Sequence, residues 1–214
     1  LSGRTRHLTL TAYVEWVLGT SRSSTAPFVA TEIDPVTGGM LARNLWGGTE
    51  TRVAFTDLGS LQTAWTGNRM EFIGRNGTLE RPAALATGAK LSGRTGAGLD
   101  PCGALQTSVV LAAHSSVELV WLLGEADTAQ AAQALIARWR GEDVDVALQS
   151  VRANWSTVLD TATVRTPDRA FDLMLNGWLL YQVLACRVWA RCSLHHAWCA
   201  FGLRAEARAD VGRV

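Results

Sequence analysis

Four side chains able to hold a transition metal fall within one short stretch near the C-terminal end: Cys192, His195, His196 and Cys199. Thiolate and imidazole are the ligands zinc prefers, but a structural zinc site closes with two separated pairs, and here one short segment would have to wrap the ion. The residues are therefore read as an accident of a diverged end, with no metal assigned. Ser, His and Asp are all present, yet no nucleophile-elbow sequence accompanies them, so serine hydrolysis has no support. His114 sits in the small polar stretch Ala112-Ala113-His114-Ser115-Ser116 and reads as a solvated turn residue. Gln182 interrupts an apolar stripe, where it either faces a polar ligand or finds a buried hydrogen-bond partner. Nine tryptophans offer flat apolar rings of the kind that suit the faces of pyranose sugars. Trp16, Trp121, Trp139, Trp155, Trp178 and Trp189 fall on periodic apolar positions and read as core, whereas Trp46 and Trp65 lie in loop-like sequence and are the better candidates for ligand contact. The segment Trp65 to Arg69, with Phe72 to Gly77, is Gly-rich and partly basic but lacks phosphate-loop spacing; it reads as a structured loop.

These residues belong to a chain of 214, 48% hydrophobic and 18% charged, within the ordinary globular range. Twenty basic against nineteen acidic side chains leave a net charge of +1. That balance is too even for the electrostatic footprint demanded by phosphate backbones or anionic membranes, so nucleic acid is excluded as a partner. The most apolar stretch, Trp178 to Ala190, is well short of the ~20 residues a bilayer span needs and carries Gln182 and Arg187, so it reads as a buried helix. No signal peptide is visible. Four cysteines, three of them crowded at one end, make no disulfide framework.

The elements that must position these side chains change period along the chain. Leu8, Leu10, Ala12, Val14 and Trp16 alternate as a strand with one buried face. Further strands are expected at Phe28 to Ile33, Val53 to Leu58, Leu105 to Leu111 and Val117 to Leu123, separated by turn clusters such as Asp34 to Gly39. Many short strands with Gly-rich turns mean a sandwich or a barrel. After Gly124 the period becomes helical: Asp127 or Thr128 caps a helix that Gly141 closes, and Asp143 caps a second, from about Val144 to Leu159. Thr166-Pro167-Asp168 announces a third, long helix, with Thr as cap and Pro in its first turn. Its stripe runs Phe171, Met174, Leu175, Trp178, Gln182, Ala185, Cys186 and Trp189, and Leu179, Leu180, Val183 and Val188 widen it over most of the circumference. Such a helix must be packed on several sides. With Leu1 almost inside a strand and no initiating Met, the chain is expected to be a piece of a longer protein.

The stretch Thr166 to Gln182, continuing to Arg191, resembles the first catalytic-domain helix of glycoside hydrolase family 94, which includes cellobiose phosphorylases and the C-terminal region of cyclic β-1,2-glucan synthases. Leu8 to Gly19, Phe72-Ile73-Gly74-Arg75-Asn76-Gly77 and Gly98-Leu99-Asp100-Pro101-Cys102 resemble the sandwich domain of the synthase branch. The resemblance implies an α+β multidomain fold: a β-sandwich over 1–124, a helical linker over 125–163, and the first helices of an (α/α)6 barrel over 164–214. It implies inverting transfer at a β-glucosidic bond, with inorganic phosphate as a co-substrate of the parent enzyme or another glucan as acceptor, and no other cofactor. After Arg191 the chain departs from the family pattern. Gly202 and Arg204 still align, Ala205 replaces an acid, and Asp210 aligns if one residue is inserted. By resemblance, Arg204 and Asp210 are substrate-binding and the family's general acid lies beyond Val214; Gln182 and Trp65 join the substrate-binding candidates from the reading of the residues themselves.

The expected partners are a β-glucan, the rest of the parent polypeptide, and a second copy through the sandwich domain. The expected location is cytoplasmic, with the parent held at the bacterial inner membrane by other segments. Two rival readings stand beside this one: a sandwich that binds glycans without chemistry, and a non-functional product of a disrupted gene. For the metal question, dialysed protein is expected to carry no zinc; a stoichiometry of about one ion per chain would restore the site built from Cys192, His195, His196 and Cys199.

Overall fold

Seven strands among the described residues pair into two antiparallel sheets. They are β1 (Arg6–Glu15), β2 (Val29–Ile33), β3 (Met40–Asn44), β4 (Val53–Asp57), β5 (Ala64–Asn68), β6 (Pro101–Leu111) and β7 (Leu122–Ala126). One sheet has the order β1-β6-β5 and the other β2-β3-β4-β7, and the short helix α1 (Arg22–Thr25) lies between β1 and β2 in the chain. The computed structural model describes residues 3–46, 52–86, 88–160 and 163–184. The chain divides into two units, Leu1–Glu142 and Asp143–Val214.

The first unit is a sandwich covered on both outer faces. Side chains alternate along β3 and β4: Ala42 and Ala54 pack with Trp16 and Val29, while Leu41, Val53 and Phe55 point to the other side. Met40 joins Ala12, Leu58 and Leu105, so the inner layer draws on both sheets. Against the outer face of the four-stranded sheet lies α3 (Ala129–Gly141), which contributes Ala132 and Ile136. Against the outer face of the three-stranded sheet lie Phe72 and Ile73 of the short helix α2 (Arg69–Ile73), with Ala84 and Leu91, covering Cys102 and Ala104. Strands buried on both faces have no reason to alternate apolar with polar, and every residue of β4 is buried. Full burial of one such side chain, Leu105, is worth about 1.5–3 kcal/mol.

Buried polar groups pin α3 to the sheets. The Asp57 carboxylate, fully buried, accepts from Arg140 Nε at 2.9 Å and from Nη2 at 2.7 Å, the paired geometry of a guanidinium on a carboxylate. Gly59 N and Gln62 Nε2 complete its set of donors at 2.9 and 3.2 Å. Arg140 also donates to the Thr37 carbonyl at 2.6 Å. Thr37 belongs to the Asp34–Gly39 turn between β2 and β3, where buried Asp34 accepts from Thr37 N and Oγ1 at 2.7 and 2.6 Å and from Gln133 of α3 at 2.8 Å. Burial would raise the Asp34 pKa, but the hydrogen bonds from Thr37 and Gln133 outweigh it and hold the carboxyl below its ordinary value.

The expected caps of α3 and of α4 (Val144–Leu159) hold: Thr128 Oγ1 accepts from Ala131 N at 3.1 Å, and Asp143 Oδ1 accepts from Asp145 N and Val146 N. Other expectations need correction. The strand expected at Val117 to Leu123 is β7, displaced toward the C-terminus because its register puts Leu122 opposite Asp57 and Ala126 opposite Val53. Leu8 and Leu10, expected in the core, are 44% and 41% exposed. The buried stretch of β6 stops at Thr107, the partner of Leu10, so the far half of this ladder has no covering layer among the described residues. Thr166 is not the third helix's cap. Asp168 takes that place, accepting from Ala170 N at 2.8 Å, and the helix begins as α5 (Arg169–Leu173).

In the second unit Thr166 instead bonds through its N and Oγ1 to Asp172 Oδ1, at 2.7 and 2.9 Å. Asn176 makes a two-way bond with the Val164 backbone, 2.8 Å in each direction, so the approach segment is stapled alongside the helix. The winding widens to a π-type turn over Met174–Leu179 before α6 (Leu180–Val183), a local change that shifts the expected stripe. The Trp155 ring of α4 approaches Tyr181 at 5.6 Å.

Arg140→Ala strips the buried Asp57 carboxylate of its counter-charge and is expected to destabilise the first unit by ~3–5 kcal/mol, read as a lowered midpoint in urea unfolding. A loss below about 1 kcal/mol, the size of a surface pair, would show that the lock does not carry this weight.

Candidate functional site

The three sandwich segments singled out in the sequence meet at one end of the three-stranded sheet. β1 brings Tyr13 and Glu15, α2 brings Arg69 and Phe72, β6 brings Cys102 and the residue just before β6 is Asp100. Tyr13 stacks on Phe72 with ring centroids 4.4 Å apart and planes 14° from parallel. Glu15 is gripped from two sides, by Arg69 Nε at 2.7 Å on one oxygen and Arg22 Nη1 at 2.5 Å on the other. Arg22 continues to Asp100, and the Tyr13 hydroxyl donates to Glu15 at 2.9 Å. The backbone follows the same plan, with Arg69 N donating to the Asp100 carbonyl at 2.7 Å.

Burial sets the chemistry of these groups. It would raise the Glu15 pKa, but hydrogen bonds from Arg69 and Tyr13 and the charge of Arg22 hold the carboxyl below its ordinary value. Tyr13 is pushed well above the usual phenol range, first by burial and then by its hydrogen bond to Glu15. Burial pushes the Cys102 thiol up to about 12, with the charges of Asp100 and Glu15 adding to it, so it is no nucleophile at neutral pH. Paired charges and an inert thiol make this cluster a brace for the sheet end.

Trp65 is not in a loop: it lies within β5, opposite Leu105. Its ring packs against the inner core and its Nε1 donates to the Gly93 carbonyl at 3.1 Å. Gly93 N returns a bond to the Trp65 carbonyl at 2.9 Å, and Gly67 N donates to Arg94 O at 2.7 Å, so the 91–94 segment runs alongside β5. Asn68 ends the strand and caps α2 by accepting from Met70 N. Glu71 holds the same segment from the other side, accepting from Thr66 Oγ1 and from Ser92 N and Oγ at 2.6 to 2.8 Å. Burial would raise its pKa; the bonds from Thr66 and Ser92 keep it below the ordinary value. In the expected loop at 72–77, Gly74 has φ +91°, and a Cβ at Gly77 would fall 1.9 Å from the Ile73 carbonyl oxygen, which explains both glycines.

Of the other expected site residues, Gln182 lies half-buried in α6, in the second unit. Arg204 and Asp210 lie outside the described residues, as do Trp189 and the cysteines and histidines of the 192–199 segment. Trp46 is exposed and rests against Phe28, centroids 4.6 Å apart. Of the tryptophans read as core, Trp16 is buried, but Trp121, Trp139 and Trp178 are exposed. Apolar periodicity marks a facing direction, not whether anything covers it, and that is why the sequence did not separate them.

Two outcomes follow from these environments. Cys102 is expected to resist alkylation at pH 8 in the folded chain and to react once urea unfolds it, as peptide mapping would show; labelling of native Cys102 would refute its burial. Glu15 and Glu71, depressed in the folded state, contribute stability that is complete above the ordinary carboxylate value of ~4.3 and is lost as pH falls through their lower folded values. The urea midpoint should therefore fall on acidification below that value, and Glu71→Gln should flatten the fall.

Comparison with known proteins agrees with this architecture in order along the chain. The family model described as glycosyl hydrolase 94, supersandwich domain, matches residues 1–142, and the glycosyl hydrolase 94 superfamily catalytic domain matches 154–208. The chain is 37% identical over 204 residues to the cyclic beta-(1,2)-glucan synthase NdvB of Rhizobium meliloti, covering 95% of this chain and 7% of that protein. It is 29% identical over 156 residues to the N,N'-diacetylchitobiose phosphorylase of Vibrio furnissii, covering 72% of this chain and 19% of that protein. The chain thus spans less than a fifth of the length of either relative. Two antiparallel sheets followed by helices, with both family models matched in that order, place the chain in glycosyl hydrolase family 94.

Proposed function

We propose that the chain is the sandwich and first catalytic helices of an inverting glycosyltransferase or phosphorylase acting on β-linked, and specifically β-1,2-linked, glucans. The observation that supports this best is the 37% identity to a cyclic beta-(1,2)-glucan synthase across 95% of the chain. In this reading residues 1–124 are the sandwich, 125–163 a helical linker and 164–214 the start of an (α/α)6 barrel.

Inversion needs one carboxylic acid to protonate the departing glycosidic oxygen while phosphate or an acceptor hydroxyl attacks the opposite face of the sugar. The acid is supplied by a part of the parent beyond residue 214, and these residues do not turn over substrate unaided. Arg204 and Asp210 would orient hydroxyls of the bound sugar through charged hydrogen bonds, whose geometry is worth more to the transition state than to a mobile substrate. Gln182 adds an uncharged contact. Trp65 is a separate candidate contact on the sandwich, its indole holding the 91–94 segment in place. Among the described residues no helix is long and apolar enough to cross a membrane. Attachment of a cytoplasmic parent to the inner membrane would come through other segments, and a second copy would dock through the sandwich.

The test is an assay of the uninterrupted parent polypeptide on β-1,2-glucan with and without phosphate. Transfer or phosphorolysis is expected from the parent and none from residues 1–214. Arg204→Ala in the parent should lower kcat/KM by about 10²-fold, the scale of a misoriented substrate. Turnover by the 214 residues alone would overturn the assignment of the acid.

A further inference from the structure

The two sides of the sandwich in the first unit are finished differently. On one side the 91–96 segment ties off both sheets: Gly93 N donates to the Trp65 carbonyl of β5 at 2.9 Å, and Thr31 N of β2 donates to the Gly96 carbonyl at 3.2 Å. On the other side lie the outer strands of the same two sheets, β1 and β7, and among the described residues no strand pairs with the far edge of either. β7 is short and carries Glu125, paired with Arg52 at 2.8 Å, and shortness and charge both blunt an edge. β1 is not protected in this way.

β1 runs for 10 residues, contains neither Lys nor Pro, and pairs with β6 from Arg6 to Glu15 without a bulge. The N–H and C=O groups of alternate residues along it therefore point away from β6, a ready template for another strand. Its core-facing row is apolar: Ala12 belongs to the inner layer, so by alternation Leu8, Leu10 and Val14 share that face, yet Leu8 and Leu10 stay exposed. Val109 of β6 faces the same way, opposite Leu8. The charges of β1 are sorted by end, with Arg6 and His7 at its start and Glu15 at its finish. A strand basic at one end and acidic at the other is complementary to an antiparallel copy of itself and not to a parallel one.

We propose that β1 is the interface between two copies of this chain, paired antiparallel about a two-fold axis so that their β1-β6-β5 sheets join edge to edge. The inference deepens the reading of a second copy docked through the sandwich and rests on that reading, not on the glucan chemistry. An axis perpendicular to the sheet keeps both core faces on one side, and residues opposite one another in a ladder share a face, so core-facing positions must meet core-facing positions. Two registers of equal length satisfy this, one centred on Leu10 and one on Thr11. Centring on Leu10 leaves Glu15 past the end of the ladder. Centring on Thr11 sets Leu8 opposite Val14 of the second copy, Leu10 opposite its Ala12 and His7 opposite its Glu15, and symmetry repeats each pair. The Glu15 oxygen held by Arg22 accepts that one donor, which leaves it a lone pair for the imidazole N–H of His7. A foreign strand could take the same backbone bonds but has no reason to match this order of charges.

The test combines sedimentation of the 214-residue chain with hydrogen exchange along β1. A dimer is expected, in which the β1 amides that point away from β6 are protected, and they should exchange freely once dilution gives the monomer. Leu10→Lys puts a charge into the joined core row, and His7→Glu sets a carboxylate against Glu15 of the second copy. Both positions are exposed in the single chain, so each variant should keep its thermal melt. Each is expected to raise the dimer dissociation constant by about tenfold, since every contact is made twice. A dimer that withstands both variants, or whose β1 amides stay unprotected, would overturn the β1 edge while leaving the second-copy reading in place. A monomer at every concentration would overturn both.

Discussion

A carboxylate buried inside a protein is tolerated only when every lone pair is met, and Asp57 satisfies that condition with a guanidinium, a backbone amide and a side-chain amide. The donors come from α3 and from the chain between β4 and β5, and Arg140 reaches on to the β2–β3 turn at Thr37. Apolar packing of Ala132 and Ile136 would hold α3 against the sheet in many rotations. The charged bonds select one, because any other leaves a buried charge without its partner. Removing either partner costs far more than the pair contributes net, because it leaves a buried charge uncompensated.

With α3 fixed, the outer face of the four-stranded sheet is closed: Ala132 and Ile136 cover Leu41, Val53 and Phe55, and Leu122 and Ala126 of β7 pack against them. Trp16 lies between the sheets and is buried, whereas Trp121, just before β7, and Trp139, near the end of α3, stay exposed. At the other end of the sandwich the Glu15–Arg22–Asp100–Arg69 cluster does comparable work on a half-exposed surface, where solvent screens the charges and each pair is worth less. Its value lies in joining three segments that are distant in sequence.

The second unit relies on local bonds. Asp172 and Asn176 reach back from the helix to hold the Val164–Thr166 approach, and Asp168 caps the first turn. Phe171, Trp178 and Val183 stay exposed. These side chains lie in the stretch that matches the family's catalytic-domain model.

The sequence by itself determined what depends on neighbours a few residues away: the caps at Thr128 and Asp143, the Asp34–Gly39 turn, the change from strand to helix after Gly124, and, through its motifs, the family. Tertiary structure alone decided β3 and β5, since strands covered on both faces or tied to an irregular segment lose the alternation that reveals them. It also decided that Arg140 meets Asp57, 83 positions away, and that Gln133 meets Asp34, 99 positions away. Residue type announces that a charge needs a partner, but only the packed chain says which one, because the choice depends on sheet register and helix rotation that no local window contains.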